Sequence, residues 1–281
     1  MTTKATDLTE ALNKASSVPE AIDNKIAELR ASDDLEAFIL ANRLEAYRNH
    51  MCNREMLNKQ REVFNNLYKE IDKTYPDVLF RIEGRRKSFI SAYQKLLQKP
   101  SDYVLQDISA FRIILFGSKT EMIATCYKVA ELIIKYNVTN GFIPCAKKCK
   151  PEKFDKEAHS EIVVPQKSGL PENMQGYVED YILHPRSNGY QSIQITFKDT
   201  YGYFFEVQIR TIDMHIMAEH GSASHQEYKR QNYSKTLEFD RDSINIPGYQ
   251  LIHKSDGSSE LIDFIGLEIS SEILRRQKTY A

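Results

Sequence analysis

Leu35, Phe38, Ile39 and Leu44, and later Met56, Val63, Phe64, Leu67 and Ile71, recur at steps of three and four among charged residues. This is the spacing of apolar stripes on amphipathic helices, and it predicts helix throughout residues 1 to about 80, closed by Pro76. Beyond that point strand and helix signals alternate. Ala110 to Phe116 (AFRIILF) is a short, almost continuous apolar run, as expected of a strand buried on both faces. Ser118-Lys119-Thr120-Glu121 has the form of a capping box, and Met122, Cys126, Val129, Ile133 and Ile134 give the apolar stripe of the helix it opens. Residues 141 to 176 break the pattern with Gly141, Pro144, Pro151, Pro165, Gly169, Pro171 and Gly176, and read as an irregular basic insertion.

Two further strands, Ser192 to Phe197 and Tyr203 to Arg210, are joined by a short hairpin-type connection. Because side chains alternate, Tyr190, Ser192 and Gln194 share one face while Ile193, Ile195 and Phe197 share the other. The second strand divides likewise into Glu206, Gln208 and Arg210 against Phe205, Val207 and Ile209. Two neighbouring strands thus offer polar faces that can belong to one side of one sheet. A helix is expected from Thr211 to about Lys229, then a hairpin around Ser255-Asp256-Gly257 and a final charged helix. The expected organisation is an α/β (α+β) chain: helical residues 1–80, a mixed domain at 81–235, and an extension at 236–281.

Composition narrows the chemistry. With 281 residues, 41% hydrophobic and 27% charged, the chain is long enough to bury a sizeable core. Its net charge of -1 means that any polyanion must be bound by local basic clusters. Four cysteines are too few and too unevenly spaced for a disulfide framework, and Cys145 with Cys149 lacks a second ligand pair of zinc-finger spacing. The polar, acid-bearing first thirty residues are unlike a secretory segment, and no window approaches the roughly 18 apolar residues of a membrane span. The expectation is a cytoplasmic protein with no membrane partner; an oligomer is neither required nor excluded.

Four islands carry candidate chemistry. Gly84-Arg85-Arg86-Lys87 places three cations beside a glycine at what reads as a helix entry, suited to nucleotide phosphates, although a basic run alone is commonly just solvated. Asp107 precedes the buried strand containing Arg112, and Glu206 lies on the hairpin strand. Carboxylates on two adjacent strands are a usual way to hold a magnesium ion that bridges substrate phosphates. Tyr190, beside an Asn-Gly turn, could stack on a base or could be half-buried packing.

Their order resembles the synthetase domain of the RelA/SpoT family, of the small alarmone synthetase type, from about Gly84 to Lys229. The motifs read GRRKSFISAYQKL (Arg85, Lys87, Ser91 and Lys95 in register), Asp107-Ile108-Ser109-Ala110-Phe111-Arg112, Asn188-Gly189-Tyr190-Gln191-Ser192, and FEVQIRTIDMHIMAEHGSASHQEYK. The resemblance implies a nucleotidyltransferase-like mixed sheet flanked by helices, with residues 1–80 as an added helical part. It implies a GTP diphosphokinase that moves the β,γ-diphosphate of ATP to the 3′-hydroxyl of GDP or GTP, giving (p)ppGpp and AMP. Arg85, Lys87, Ser91 and Lys95 would bind ATP, Asp107 and Glu206 would hold magnesium, and Arg112 would brace the site. Tyr190, Asn188, Ser192, Gln194, Arg186, Gln208 and Arg210 would face the acceptor. His215, His220 and His225 read as structural or phosphate-contacting helix positions.

The chain departs from the family in three places. No His-Asp dipeptide of a hydrolase half occurs, which implies synthesis without degradation. Before the acceptor loop, where the family often has R-x-K-D, this chain has Tyr177-Val178-Glu179-Asp180, whose carboxylates could recruit a second magnesium ion. Gln194 stands where the family has a histidine, and it cannot supply a cation. Both changes remove positive charge near the acceptor's phosphates. They keep open a toxin-type relative that pyrophosphorylates the 3′ end of tRNA, with the Lys147-Lys148-Lys150-Lys153 patch on the RNA backbone. A non-catalytic regulatory module that kept the fold is a further alternative.

Overall fold

A computed structural model describes residues 18–147, 149, 152–220, 249–253 and 259–263. Three helices come first: α1 (Val18–Arg30), α2 (Leu35–Cys52) and α3 (Arg54–Thr74). Asp34 and Asn53 start α2 and α3, their side-chain oxygens accepting from Glu36 N and from Glu55 N and Met56 N, donors that a helix cannot satisfy itself. The buried stripe of α2 is Leu40, Ala41, Leu44, Tyr47 and Met51. Leu35 and Phe38, expected on that stripe, lie on the first turn and are 71% and 50% exposed.

The Gly84–Lys87 cluster corrects the expected helix entry. Residues Phe80–Arg86 form a strand, β1, because Phe80 and Ile82 alternate with Arg81 and Glu83 and the backbone pairs antiparallel with β2 (Ser109–Leu115). Only Lys87 and Ser88 stand at a helix start: Ser88 caps α4 (Phe89–Gln98), its Oγ accepting from Ser91 N. After β2 comes α5 (Lys119–Thr139); the expected capping box is not closed, and Ser118 Oγ instead donates to the Glu121 carboxylate at 3.1 Å. Among its described residues the insertion contains β3 (Ile143–Pro144) and the one-turn α6 (Glu172–Gln175) as its regular elements. Then follow β4 (Val178–Asp180), β5 (Ile193–Lys198), β6 (Phe204–Thr211) and α7 (Ile212–His220). Strands β7 (Tyr249–His253) and β8 (Ser259–Asp263) pair antiparallel, as expected. Their turn, the stretch from Gly221 to Lys229 and the final charged helix lie outside the described residues.

The mixed sheet runs β1-β2-β6-β5-β3, with β4 also on β5. All neighbours are antiparallel except β2 and β6, which run parallel. One face is apolar: Phe111, Ile113, Ile193, Ile195, Phe197, Phe205, Val207 and Ile209 are completely buried against α3 and α5. Each such side chain contributes about 1.5–3 kcal/mol, so this face stabilises the domain and leaves the other free for polar groups. A second core joins α1 and α2 to α4, Leu105 and Ile108. Residue 80 therefore marks a change of element type rather than a break between cores: α3 completes the sheet core, and α1 and α2 pack on α4.

Candidate active site

The polar face forms two rows. Across β1, β2, β6 and β5 the register places Arg85, Ala110, Glu206 and Thr196 side by side; two residues along, Glu83, Arg112, Gln208, Gln194 and Glu179 follow, the last on β4. Glu206 and Gln208 are each 8% exposed, so the row is recessed and must satisfy its own polar atoms. Gln208 Nε2 donates to Glu206 Oε1 at 2.7 Å, and Glu83 takes Arg81 at 2.6 Å and Arg112 at 3.3 Å. Arg210, 1% exposed, places Nη2 2.8 Å from His215 Nδ1, which joins β6 to α7.

At the end of β2 near Asp107, two of the expected ATP-binding residues and one expected metal ligand meet in a single cluster. Lys87 Nζ and Lys95 Nζ both donate to Asp107 Oδ2 at 2.8 Å. Lys87 is fixed by its backbone, N–H to Ile108 O at 2.8 Å, while Lys95 lies two turns into α4 with its ammonium 5.5 Å above the Tyr103 ring. Burial alone would raise the Asp107 carboxyl, but Lys87 and Lys95 outweigh it and hold the group well below the usual carboxylate range. Burial likewise opposes the charge on Lys95, and Asp107 with Tyr103 holds it above the usual ammonium range. Asp107 Oδ1 is buried without a hydrogen-bond partner among the described residues.

That orphaned oxygen is of the kind a magnesium ion takes, and a second carboxylate, Glu206, lies on the neighbouring parallel strand opposite Ala110, three residues along from Asp107. No group of three or more His, Cys, Asp or Glu that could hold a metal occurs among the described residues. A magnesium ion that takes most of its oxygens from substrate phosphates and water needs only one or two protein carboxylates. Asp180 does not join this set. It pairs with Ile193 and so faces the apolar side, where its oxygens accept from Tyr127 Oη, Ser168 Oγ and Leu183 N. Glu179, one residue earlier, does face the polar row, but its oxygens take Tyr181 Oη at 3.0 Å and Lys147 at 3.5 Å. The cysteine pair is also poor in metal character: burial, with Glu179 and Asp180, pushes the Cys149 thiol up to about 12.

The acceptor turn is tightly tied. Asn188 Oδ1 accepts from Tyr190 N, Gly189 adopts φ +81°, and Gly189 N donates to Arg186 O at 2.9 Å. Tyr190 is half-buried, its Oη accepting from Ser192 Oγ and Gln194 Nε2, both at 3.0 Å. Gln194 thus orients the ring rather than pointing away from it. Arg186 stacks 4.5 Å over Tyr181 and 6.0 Å from Tyr190, which meets Tyr181 edge-on. Of the remaining expected residues, Ser91 lies within the α4 cap, where its hydroxyl accepts from Ser88, and Arg85 is placed in the Glu206 row by its backbone. The sequence does not single out Glu83, Tyr103 or Tyr181. Glu83 could have been found from its alternation with Ile82, but Tyr103 carries no signal beyond being aromatic.

Residues 152–233 match a family profile described as a region found in RelA / SpoT proteins. Over those residues the chain is similar to the RelA/SpoT region. The matched stretch takes in Tyr190, Gln194, Glu206 and Arg210, whereas Lys87, Lys95 and Asp107 precede it. Over 180 residues the chain is 31% identical to the bifunctional (p)ppGpp synthase/hydrolase SpoT of Escherichia coli, covering 64% of this chain and 20% of that protein. It is 31% identical over 147 residues to a probable chloroplastic GTP diphosphokinase of Arabidopsis thaliana, covering 52% of this chain and 15% of the relative. The chain therefore spans about a fifth or less of the length of these relatives. Among solved structures it is similar to the small alarmone synthetase 2 from Bacillus subtilis, with 19% identity, a TM-score of 0.39, and coverage of 80% of this chain and 92% of that one. No helix among the described residues is long and apolar enough to cross a membrane.

Proposed function

We propose that this protein is a pyrophosphokinase that transfers the β,γ-diphosphate of ATP to the 3′-hydroxyl of a guanosine nucleotide, without hydrolysing the product. The observation that carries this is the Lys87–Asp107–Lys95 cluster, two ammonium groups for phosphates around a carboxylate with a bare buried oxygen just ahead of β2, with a second carboxylate, Glu206, on the neighbouring parallel strand β6. A magnesium ion on Asp107 and Glu206 would neutralise the charge that develops on the transferred phosphates. Lys87 and Lys95 leave Asp107 Oδ2 for the donor phosphates, an exchange that keeps each charge paired. Arg112, held by Glu83, keeps its guanidinium in the middle of the row. Tyr190 stacks on the acceptor base and presents the 3′ oxygen. That oxygen bonds to the β-phosphorus, the bond from the β-phosphorus to the α-bridging oxygen breaks, AMP leaves, and the hydroxyl proton passes to Glu206.

One observation favours a second acceptor class, the 3′ end of tRNA. The cations beside Tyr190 are already matched by acids, Arg186 with Glu152 at 3.9 Å and Lys147 with Glu179 at 3.5 Å, which disfavours a 5′-polyphosphate there. Incubation of the protein with labelled ATP and GDP, GTP or deacylated tRNA separates the two. We expect label in GDP or GTP; label in tRNA alone overturns the guanosine-nucleotide acceptor, and label in none overturns the enzyme.

A further inference from the structure

Helix α2 buries Leu40, Ala41, Leu44, Tyr47 and Met51 in the second core, yet it also directs four hydrogen-bonding groups at the neighbouring site: the Arg43 guanidinium, the Tyr47 hydroxyl, the His50 ring and the Met51 carbonyl. These groups reach backbone and side chains around the Lys87–Asp107–Lys95 cluster, while the Tyr47 ring also stacks on Phe89 and the His50 ring on Tyr203. Tyr47 Oη donates to Lys87 O at 2.7 Å, and Met51 O accepts from Arg86 Nη2. Arg43 donates through Nη1 to Leu96 O and through Nη2 to Tyr103 O, both at 3.1 Å. His50 Nε2 lies 3.3 Å from Ser109 Oγ. These attachments bracket every member of the cluster: the Lys87 peptide itself, the residue after Lys95, and points on both sides of Asp107. The grip on Tyr103 also fixes the ring over which the Lys95 ammonium sits.

We infer that α2 is a positioning element of the donor-phosphate site, with Tyr47 setting Lys87 and Arg43 setting Lys95, neither touching substrate. The inference rests on the proposed ATP site. Two long, flexible lysine side chains reach one oxygen only if their Cα positions are fixed, and α2 supplies the fixed points from outside the strand and helix that carry them. A bidentate guanidinium suits Arg43, because its planar fork spans two carbonyls that an ammonium would serve one at a time.

The test is titration calorimetry of the full chain with magnesium and a non-hydrolysable ATP analogue, and separately with the acceptor, well below each variant's unfolding temperature. Tyr47→Phe deletes one hydroxyl while keeping the ring, and Arg43→Lys keeps the charge but not the fork. Ile71→Val, in the sheet core on α3, is a destabilised control with no link to the cluster. Both α2 variants are expected to weaken analogue binding about tenfold or more, with acceptor affinity unchanged and Ile71→Val matching the wild type on both. Analogue affinity within about twofold of wild type in both variants overturns the inference, as does a parallel loss of analogue and acceptor binding, which is the mark of general destabilisation. A wild-type protein that binds no analogue overturns the donor-site proposal itself, a result distinct from either.

Discussion

Asp107 and Glu206 are assigned the same ion, yet their surroundings predict different consequences when each is neutralised. Asp107 shares one oxygen between two ammonium groups, so Asp107→Asn leaves two partly buried cations without their anion, at a cost on the order of 3 kcal/mol. Glu206 makes one hydrogen bond that an amide oxygen can still accept, so Glu206→Gln changes stability by less than about 1 kcal/mol. Both variants are expected to abolish transfer, and urea unfolding beside an activity assay checks the contrast; retained activity in both removes the metal assignment. His50 gives a pH signature. Burial, followed by the charge of Arg86, lowers it to about 4 from its ordinary 6.5. Its folded form therefore resists a proton that the unfolded chain accepts. Stability that is full above pH 6.5 falls as the pH drops toward 4, by up to about 3 kcal/mol from this residue. His50→Gln is expected to flatten the unfolding free energy over that window relative to wild type, and parallel pH profiles contradict the assignment. For Tyr190→Ala, loss of stacking predicts acceptor binding weaker by about 1–3 kcal/mol, read as a raised acceptor KM with the ATP KM unchanged.

At the scale of elements, the acceptor turn is strapped by residues 152–170, since Ser187 N and Oγ donate to Glu152 and Gln191 Nε2 donates to Val163 O, and turn and strap are expected to behave as one unit. A Cβ on Gly189 would sit 2.8 Å from Ile162 Cδ1 at a backbone φ of +81°, so Gly189→Ala pays both a contact and a conformational penalty of about 1–2 kcal/mol. Proteolysis of the 152–170 strap should be faster in that variant, and an unchanged cleavage rate would separate the strap from the turn. How far the elements could be read from sequence depends on whether their pattern is local. The division of β5 and β6 into an apolar and a polar face follows from alternation along each strand, and the pairing of Gln194 with Gln208 and Thr196 with Glu206 sets the two polar faces side by side. Strand β1 was obscured because Gly84-Arg85-Arg86-Lys87 has the composition of a phosphate-binding helix entry, although its ladder to β2 extends to Arg86. Asp180 differs from Glu179 by one residue and, in a strand, that difference moves it to the other side of the sheet.

For the whole molecule, the site depends on residues that no local spacing connects. Lys87, Lys95 and Asp107 meet because a strand, a helix and a returning loop converge, and the hydrogen bonds from α2 go to backbone carbonyls, which leave no mark on the sequence. The separate residues were legible; the sharing of one carboxylate oxygen by two lysines was not. The helical first part likewise reads as an appendage in sequence, whereas its helices complete both cores. The central claim, that the β,γ-diphosphate moves as a unit under the control of the Asp107 and Glu206 carboxylates, is tested most directly with ATP labelled at both the β and γ phosphorus and an excess of GDP or GTP. The account predicts a product carrying both labels on the 3′ oxygen, one AMP released per product, and neither with Glu206→Gln. Transfer of the γ label alone with release of ADP, or no labelled product and no AMP, would contradict it.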